Sequence, residues 1–190
     1  MMNSRIQKQA DRLLYDHSLL NLLNKYGTPH IIGSYRMNLM AWNDLDIDID
    51  ISEAGMSLHK LYTLTAELLS AFQPVWYEAK ETTDIHGNPA WFLGFETRIL
   101  GELWNVDLWF FEREVIETAL RFCDHITEEV AADPEKGTAI LAIKKHLMAH
   151  GQYAFDKYTS MDVYRAVIED NISTPEDFLS GEKDKGRIAE

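Results

Sequence analysis

The sequence predicts an α+β fold, a small mixed and mostly antiparallel sheet flanked by helices, with a helical C-terminal part. Three observations carry this. Residues 44–51 read DLDIDIDI, alternating with the period of a strand. Val75 to Phe111 is rich in aromatic and β-branched residues and is interrupted by turn-forming sequences. Apolar residues at helical spacing occupy both ends of the chain.

From about Ser4 to Tyr26, Ile6, Leu13, Leu14, Leu19, Leu20, Leu22 and Leu23 recur among polar neighbours, which predicts an opening helix ended by Gly27 and Pro29. His30-Ile31-Ile32 is a short apolar strand running into Gly33-Ser34. In the alternating strand the aspartates share one face, and Leu45, Ile47, Ile49 and Ile51 the other. Gly55 ends that strand, and Met56 to Phe72 reads as a helix stopped before Pro74. His86-Gly87-Asn88-Pro89 and Gly101-Glu102 divide the next section into three antiparallel strands. Helices follow from Glu112, around Thr138 to His150 and around Met161 to Asp170, with a break at Asp133-Pro134. The division expected is a core over 1–112, a helical part over 113–180 packed on it, and a polar, frayed tail over 181–190.

Composition narrows the function. The chain has 190 residues, 46% hydrophobic and 26% charged, as ordinary globular domains have. Its formal net charge of -13 weighs against a nucleic-acid partner, because such proteins gather Lys and Arg to displace counterions. A small-molecule or protein acceptor is the expectation. The single cysteine, Cys123, permits no internal disulfide and suits a reducing compartment. With no stretch approaching the roughly 18 apolar residues of a membrane span, and no signal-peptide pattern, the protein reads as cytoplasmic.

The segment with chemical content is Ile31-Ile32-Gly33-Ser34 followed, after nine residues, by Asp44-Leu45-Asp46. A Gly-Ser turn that opens a helix offers N–H groups and a hydroxyl to a phosphate. Two carboxylates separated by one strand residue point the same way and can share a hard, oxygen-preferring cation. Asp107, alone among Val106, Leu108, Trp109 and Phe110, is the third carboxylate; burying it there costs several kcal/mol unless it is paired or bound to metal. Asp46 and Asp48 form a second Asp-x-Asp pair. Asp44 and Asp46 are preferred, because NDLD has the polar-Asp-apolar-Asp opening and a metal pair sits where its strand begins.

These residues resemble the signature of the polymerase-beta-like nucleotidyltransferase superfamily: Gly-Ser, a spacer, Asp-x-Asp, and a later Asp on a following strand. Within it, GSYRMNLMAWNDLDIDI is most similar to small bacterial lincosamide and aminoglycoside nucleotidyltransferase-like proteins. The resemblance spans Ile31 to Phe111. It implies a nucleotidyltransferase-like fold, with Asp44, Asp46 and Asp107 as catalytic metal ligands holding two Mg2+ ions, or Mn2+ in their place. Gly33 and Ser34 would bind the phosphates of an NTP, with ATP the expected donor, and a hydroxyl of a small molecule, an antibiotic among the candidates, would accept the NMP. Protein nucleotidylation, as in toxin–antitoxin relatives, and an inactive nucleotide- or partner-binding module are the alternatives. Relatives that build the site across two subunits make a homodimer the analogous assembly.

Other residues stand between two readings. Arg36 either reaches the triphosphate or is a solvated helix residue. Lys144 and Lys145 either contact nucleotide or are surface charges. His146 and His150 have the i, i+4 spacing of helical metal ligands, but HLMAH lacks the Glu of the zinc-protease motif. Tyr153 and Tyr158 line a cleft or belong to the core. The tryptophans are expected mostly in the core, with Trp42 the candidate for an acceptor-pocket wall.

Overall fold

The computed structural model describes residues 2–84, 87–154 and 156–184. The chain parts into two compact units, Met1–Cys123 and Asp124–Glu190.

In the first unit, α1 (Met2–Asp11) passes through a π-helical turn, Arg12–Asp16, into α2 (Leu19–Leu23). The single opening helix expected is thus broken. His17 N–H donates to the Arg12 carbonyl at 2.8 Å, five residues back, and Ser18 takes a left-handed conformation with φ 59°. Strand β1 (Thr28–Ile31) contains Pro29, read above as a helix terminator. It then runs into a one-turn helix, α3 (Gly33–Arg36), and into β2 (Asp44–Asp50). Helix α4 (Leu58–Phe72) starts two residues after the expected Met56, capped by Ser57, whose side chain accepts from Lys60 N–H. Leu61, Leu64, Leu68 and Phe72 are its buried stripe. Strands β3 (Trp76–Thr83), β4 (Pro89–Ile99) and β5 (Glu102–Phe111) then form a meander. Of the turn expected between β3 and β4, His86 lies outside the described residues.

The sheet order is β1-β2-β5-β4-β3, antiparallel throughout except for the parallel pair β2–β5. Leu45, Ile47 and Ile49 of β2 and Trp104, Val106, Leu108 and Phe110 of β5 face one side. They pack there with residues of α1, α2 and α4 in one apolar cluster. The strand alternation leaves the opposite face to the aspartates, Trp109 and Phe111. The tryptophans do not collect in the core as expected. Trp104 is fully buried, Trp42, Trp91 and Trp109 are half-buried, and Trp76, on the terminal strand β3, is 45% exposed. Their placement follows strand parity and distance from the sheet centre.

The β4–β5 hairpin turns on Leu100 (φ 53°) and Gly101 (φ 84°), the two positive φ values of a type I′ turn. Leucine suits this poorly, and Leu100 is exposed. Leu100→Asn is therefore expected to raise stability by about 0.5–1 kcal/mol, read as an increase in urea midpoint at unchanged m-value.

The second unit is helical. Helix α5 (Arg113–Ala132) runs into it, and α6 (Pro134–Ala149) is capped by Asp133, whose side chain accepts from Glu135 N–H. Helix α7 (Ser160–Ile168) begins with a reciprocal capping box between Thr159 and Asp162. A further helix, α8 (Pro175–Asp184), was not expected. It takes in residues 181–184 of the expected tail; 185–190 lie outside the described residues. No described helix is long and apolar enough to cross a membrane.

Candidate active site

Parallel register sets Asp46 of β2 beside Asp107 of β5 and Asp44 beside Asn105. Side chains on directly paired residues project to the same face, so Asp44, Asp46 and Asp107 converge. Each offers a carboxylate oxygen, and these atoms all lie within 4.8 Å of one another. Among the described residues this is the one group of three or more carboxylate, histidine or cysteine side chains close enough to share a metal ion. Asn105 Nδ2 donates to Asp44 Oδ1 at 2.8 Å and orients that carboxylate. Burial pushes the Asp107 carboxyl up to about 6, and the neighbouring Asp44 charge adds to the effect, against the lowering influence of Asn105. An all-oxygen, partly desolvated acidic cluster fits a hard divalent cation such as magnesium or manganese.

Gly33 closes one side. Its φ is 62°, and a Cβ placed there would come within 2.2 Å of Asp46 Oδ2. Asp46 therefore rests directly against the glycine backbone. The Ile32 N–H donates to the Asp46 carbonyl at 3.1 Å and ties the turn to β2. Ser34 is buried at the start of α3, where its carbonyl accepts from Leu39 N–H at 2.8 Å. With one turn, α3 carries little macrodipole.

Arg36, about 200° around the helical turn from Ser34, is exposed and lines a cavity beside β1. Lys144 belongs to the second unit and is no surface charge: it is fully buried, its Nζ donating to Tyr164 Oη at 3.0 Å and lying 5.0 Å from that ring's centroid. Lys145 is exposed. His146 and His150 stack with ring centroids 4.1 Å apart, and His150 Nδ1 lies 2.8 Å from the His146 carbonyl. Tyr158 is buried against Phe178, with centroids 5.3 Å apart, while half-buried Tyr153 meets Ser160 Oγ at 3.0 Å. Half-buried Trp42 accepts Asp44 N–H on its carbonyl at 3.1 Å.

Two neighbours escaped the sequence reading. Asn105 precedes Asp107 by two residues, so strand parity alone would have found it. Gly94 stands opposite Asp107 across β4–β5, and a Cβ there would meet Phe92 at 2.6 Å and Asp107 Oδ1 at 3.2 Å. Asp48, of the alternative pair, lies opposite Trp109 and is only 2% exposed. Desolvation pushes its carboxyl up to about 7. Because this exceeds the value in an unfolded chain, its effect favours folding most at acid pH and is lost as pH rises from about 4 to about 7. The metal-free protein is expected to lose up to about 4 kcal/mol over that interval on this account. Asp48→Asn should flatten the loss, as urea unfolding at stepped pH would measure.

By sequence, no family model matches the chain and no curated protein matches it. By structure, it resembles the Cid1 poly(U) polymerase with Mg and 3'-dATP bound (TM-score 0.60, 16% identity), over 83% of this chain and 47% of that one. It also resembles the non-canonical poly(A) polymerase complex GLD-2–GLD-3 (TM-score 0.57, 13% identity; 88% and 57%). A third likeness is to mtPAP in complex with CTP (TM-score 0.55, 15% identity; 88% and 37%). The chain spans about half the length of the first of these structures. Such likeness establishes a nucleotidyltransferase-like α+β fold. The first two are described as a poly(U) and a poly(A) polymerase, not as the lincosamide or aminoglycoside type that the Gly-Ser segment resembles.

Proposed function

We propose that the protein is a metal-dependent nucleotidyltransferase that moves an NMP from an NTP, with ATP the favoured donor, to a hydroxyl of a small molecule. The observation that carries this reading is the approach of the Asp44, Asp46 and Asp107 carboxylates within 4.8 Å of one another, against the Gly33–Ser34 turn. Asp44, Asp46 and Asp107 would hold Mg2+ or Mn2+, and Gly33 and Ser34 would receive the phosphates. Bound divalent cations supply positive charge that acidifies the attacking hydroxyl and offsets the charge of the leaving pyrophosphate. The acceptor oxygen bonds to the α-phosphorus as the bond to the bridging oxygen breaks, and pyrophosphate departs. Asp107 is the first candidate to take the hydroxyl proton on a carboxylate oxygen. Asn105 keeps Asp44 aimed, and the protein otherwise positions charge.

A net charge of -13 favours a neutral or cationic acceptor, an antibiotic among them, over a polyanion. The RNA-polymerising neighbours favour a second reading, transfer to an RNA 3′ hydroxyl. The test is incubation with α-labelled NTPs and magnesium, supplying either an RNA oligonucleotide or a panel of hydroxylated small molecules. Labelled small-molecule product, with pyrophosphate release and with both lost in Asp44→Ala/Asp46→Ala, is the expected result. Label on RNA alone would select the second reading. No transfer and no magnesium-dependent nucleotide binding would overturn both.

A further inference from the structure

Helix α3 has 4 residues, too few to hold its own geometry, because one hydrogen-bonded turn does not offset the entropy lost in fixing it. The pose of the Gly33–Ser34 turn is therefore set by what grips it from outside. At its entry the grip comes from β2, through the Ile32 N–H on the Asp46 carbonyl. At its exit it comes from α1, and Tyr35 receives it twice. The Tyr35 carbonyl accepts from Gln7 Nε2 at 3.1 Å, and the Tyr35 hydroxyl donates to Asp11 Oδ1 at 2.6 Å. Gln7 and Asp11 have i, i+4 spacing, so they stand one above the other on a single face of α1.

The hydroxyl bond is the stronger of the two. A hydroxyl-to-carboxylate contact of 2.6 Å lies in the short, charge-assisted range. Burial, followed by the Asp11 hydrogen bond and charge, pushes the phenol well up, so the hydroxyl stays a donor. The half-buried ring packs meanwhile against the apolar cluster that contains Leu13, Leu14 and Ile47. Ile6 and Ala10 of α1 are buried in the same cluster, so the helix that offers the acceptor is itself fixed.

We propose that Tyr35 and Asp11 are positioning residues for the nucleotide: their hydrogen bond holds the Gly33–Ser34 turn in the pose that receives the phosphates beside Asp46. Neither side chain touches substrate in this role. The inference rests on the nucleotidyl-transfer reading of the site. It requires that loss of the bond weaken nucleotide binding, while the carboxylates, which stand on β2 and β5, keep their hold on metal.

The test uses the full chain and a non-hydrolysable ATP analogue with magnesium, followed by calorimetry. Tyr35→Phe and Asp11→Leu are each expected to raise the dissociation constant about tenfold, and the two together no more than either alone. Asp11→Asn, which keeps an acceptor oxygen, should bind as the wild type does. Magnesium alone should raise the melting temperature of these variants as it does that of the wild type. The Leu39 amide, bonded to the Ser34 carbonyl at 2.8 Å, should exchange faster in Tyr35→Phe. Tyr26→Phe controls for lost stability: it breaks another tyrosine–carboxylate bond, to Glu67 of α4 at 2.9 Å, and should leave nucleotide affinity unchanged. Wild-type affinity in Tyr35→Phe, an equal loss in Tyr26→Phe, additive losses in the double variant, or unchanged Leu39 exchange would overturn the positioning role alone. A wild type that binds magnesium but no nucleotide would overturn the reading of the site, and the positioning role with it.

Discussion

Asp107→Asn is expected to lower nucleotidyl transfer by about 10²- to 10³-fold or more while making the metal-free protein more stable. The two effects have one cause. Asp107 sits half-buried beside Asp44, and burial followed by that neighbouring charge lifts its carboxyl to about 6. Above that pH the metal-free fold holds a carboxylate it would rather protonate, at a cost of about 2–3 kcal/mol. Asparagine keeps the shape and removes the charge. Its stabilising effect should appear at pH 8, fade as pH falls through about 6, and be absent near pH 4. A cation would exploit the same charge, so magnesium should raise the melting temperature of the wild type and leave Asp107→Asn nearly unmoved. Paired transfer assays and thermal unfolding at pH 4 and 8 would measure both. A variant that transfers normally would remove Asp107 from the proposed machinery, and one destabilised at pH 8 would contradict the electrostatic account.

The second large effect is expected from Gly33→Ala, the smallest change available at the site. The backbone there is left-handed at φ 62°, which costs an L-residue about 1 kcal/mol, and the new methyl would fall 2.2 Å from Asp46 Oδ2. Asp46 must swing away or the turn must open. Transfer should fall about 10²-fold, and magnesium should stabilise the variant less than the wild type. Gly55 provides the control. Its φ is also 62°, but a Cβ there meets nothing within 4 Å, so Gly55→Ala should show the backbone cost without the loss of activity. Equal activity losses in the two variants would point to backbone strain and away from the Asp46 contact.

What could be read in advance was what local periodicity determines. DLDIDIDI announced β2 because alternation leaves no other regular structure that separates Leu and Ile from Asp. The same parity brought Asp44 and Asp46 to one face and made Asp107 a plausible companion before any pairing was known. The π-helical turn and left-handed Ser18 were hidden because Leu13, Leu14, Leu19 and Leu20 meet the core equally well on either side of a break. Helix α8, in contrast, was legible but overlooked. Thr174 precedes Pro175, its Oγ1 accepts from Asp177 N–H at 3.1 Å and donates to Asp177 Oδ2 at 2.7 Å, a capping arrangement foreshadowed by STPED. The desolvation of Asp48 and the burial of Lys144 depend on what packs over them in space. No spacing within one segment discloses that.

The parallel pairing of β2 with β5 also bears on how the molecule reaches its native state. Asp44 and Asn105 are 61 positions apart in the chain. Closing so long a loop loses entropy before any contact is made, and a parallel pair cannot zip from a tight turn. The β4–β5 hairpin can form locally, whereas the acidic cluster assembles only when β2 pairs with β5, bringing like charges together. Divalent cations present during refolding should therefore accelerate this last step, and leave the early hairpin unaffected.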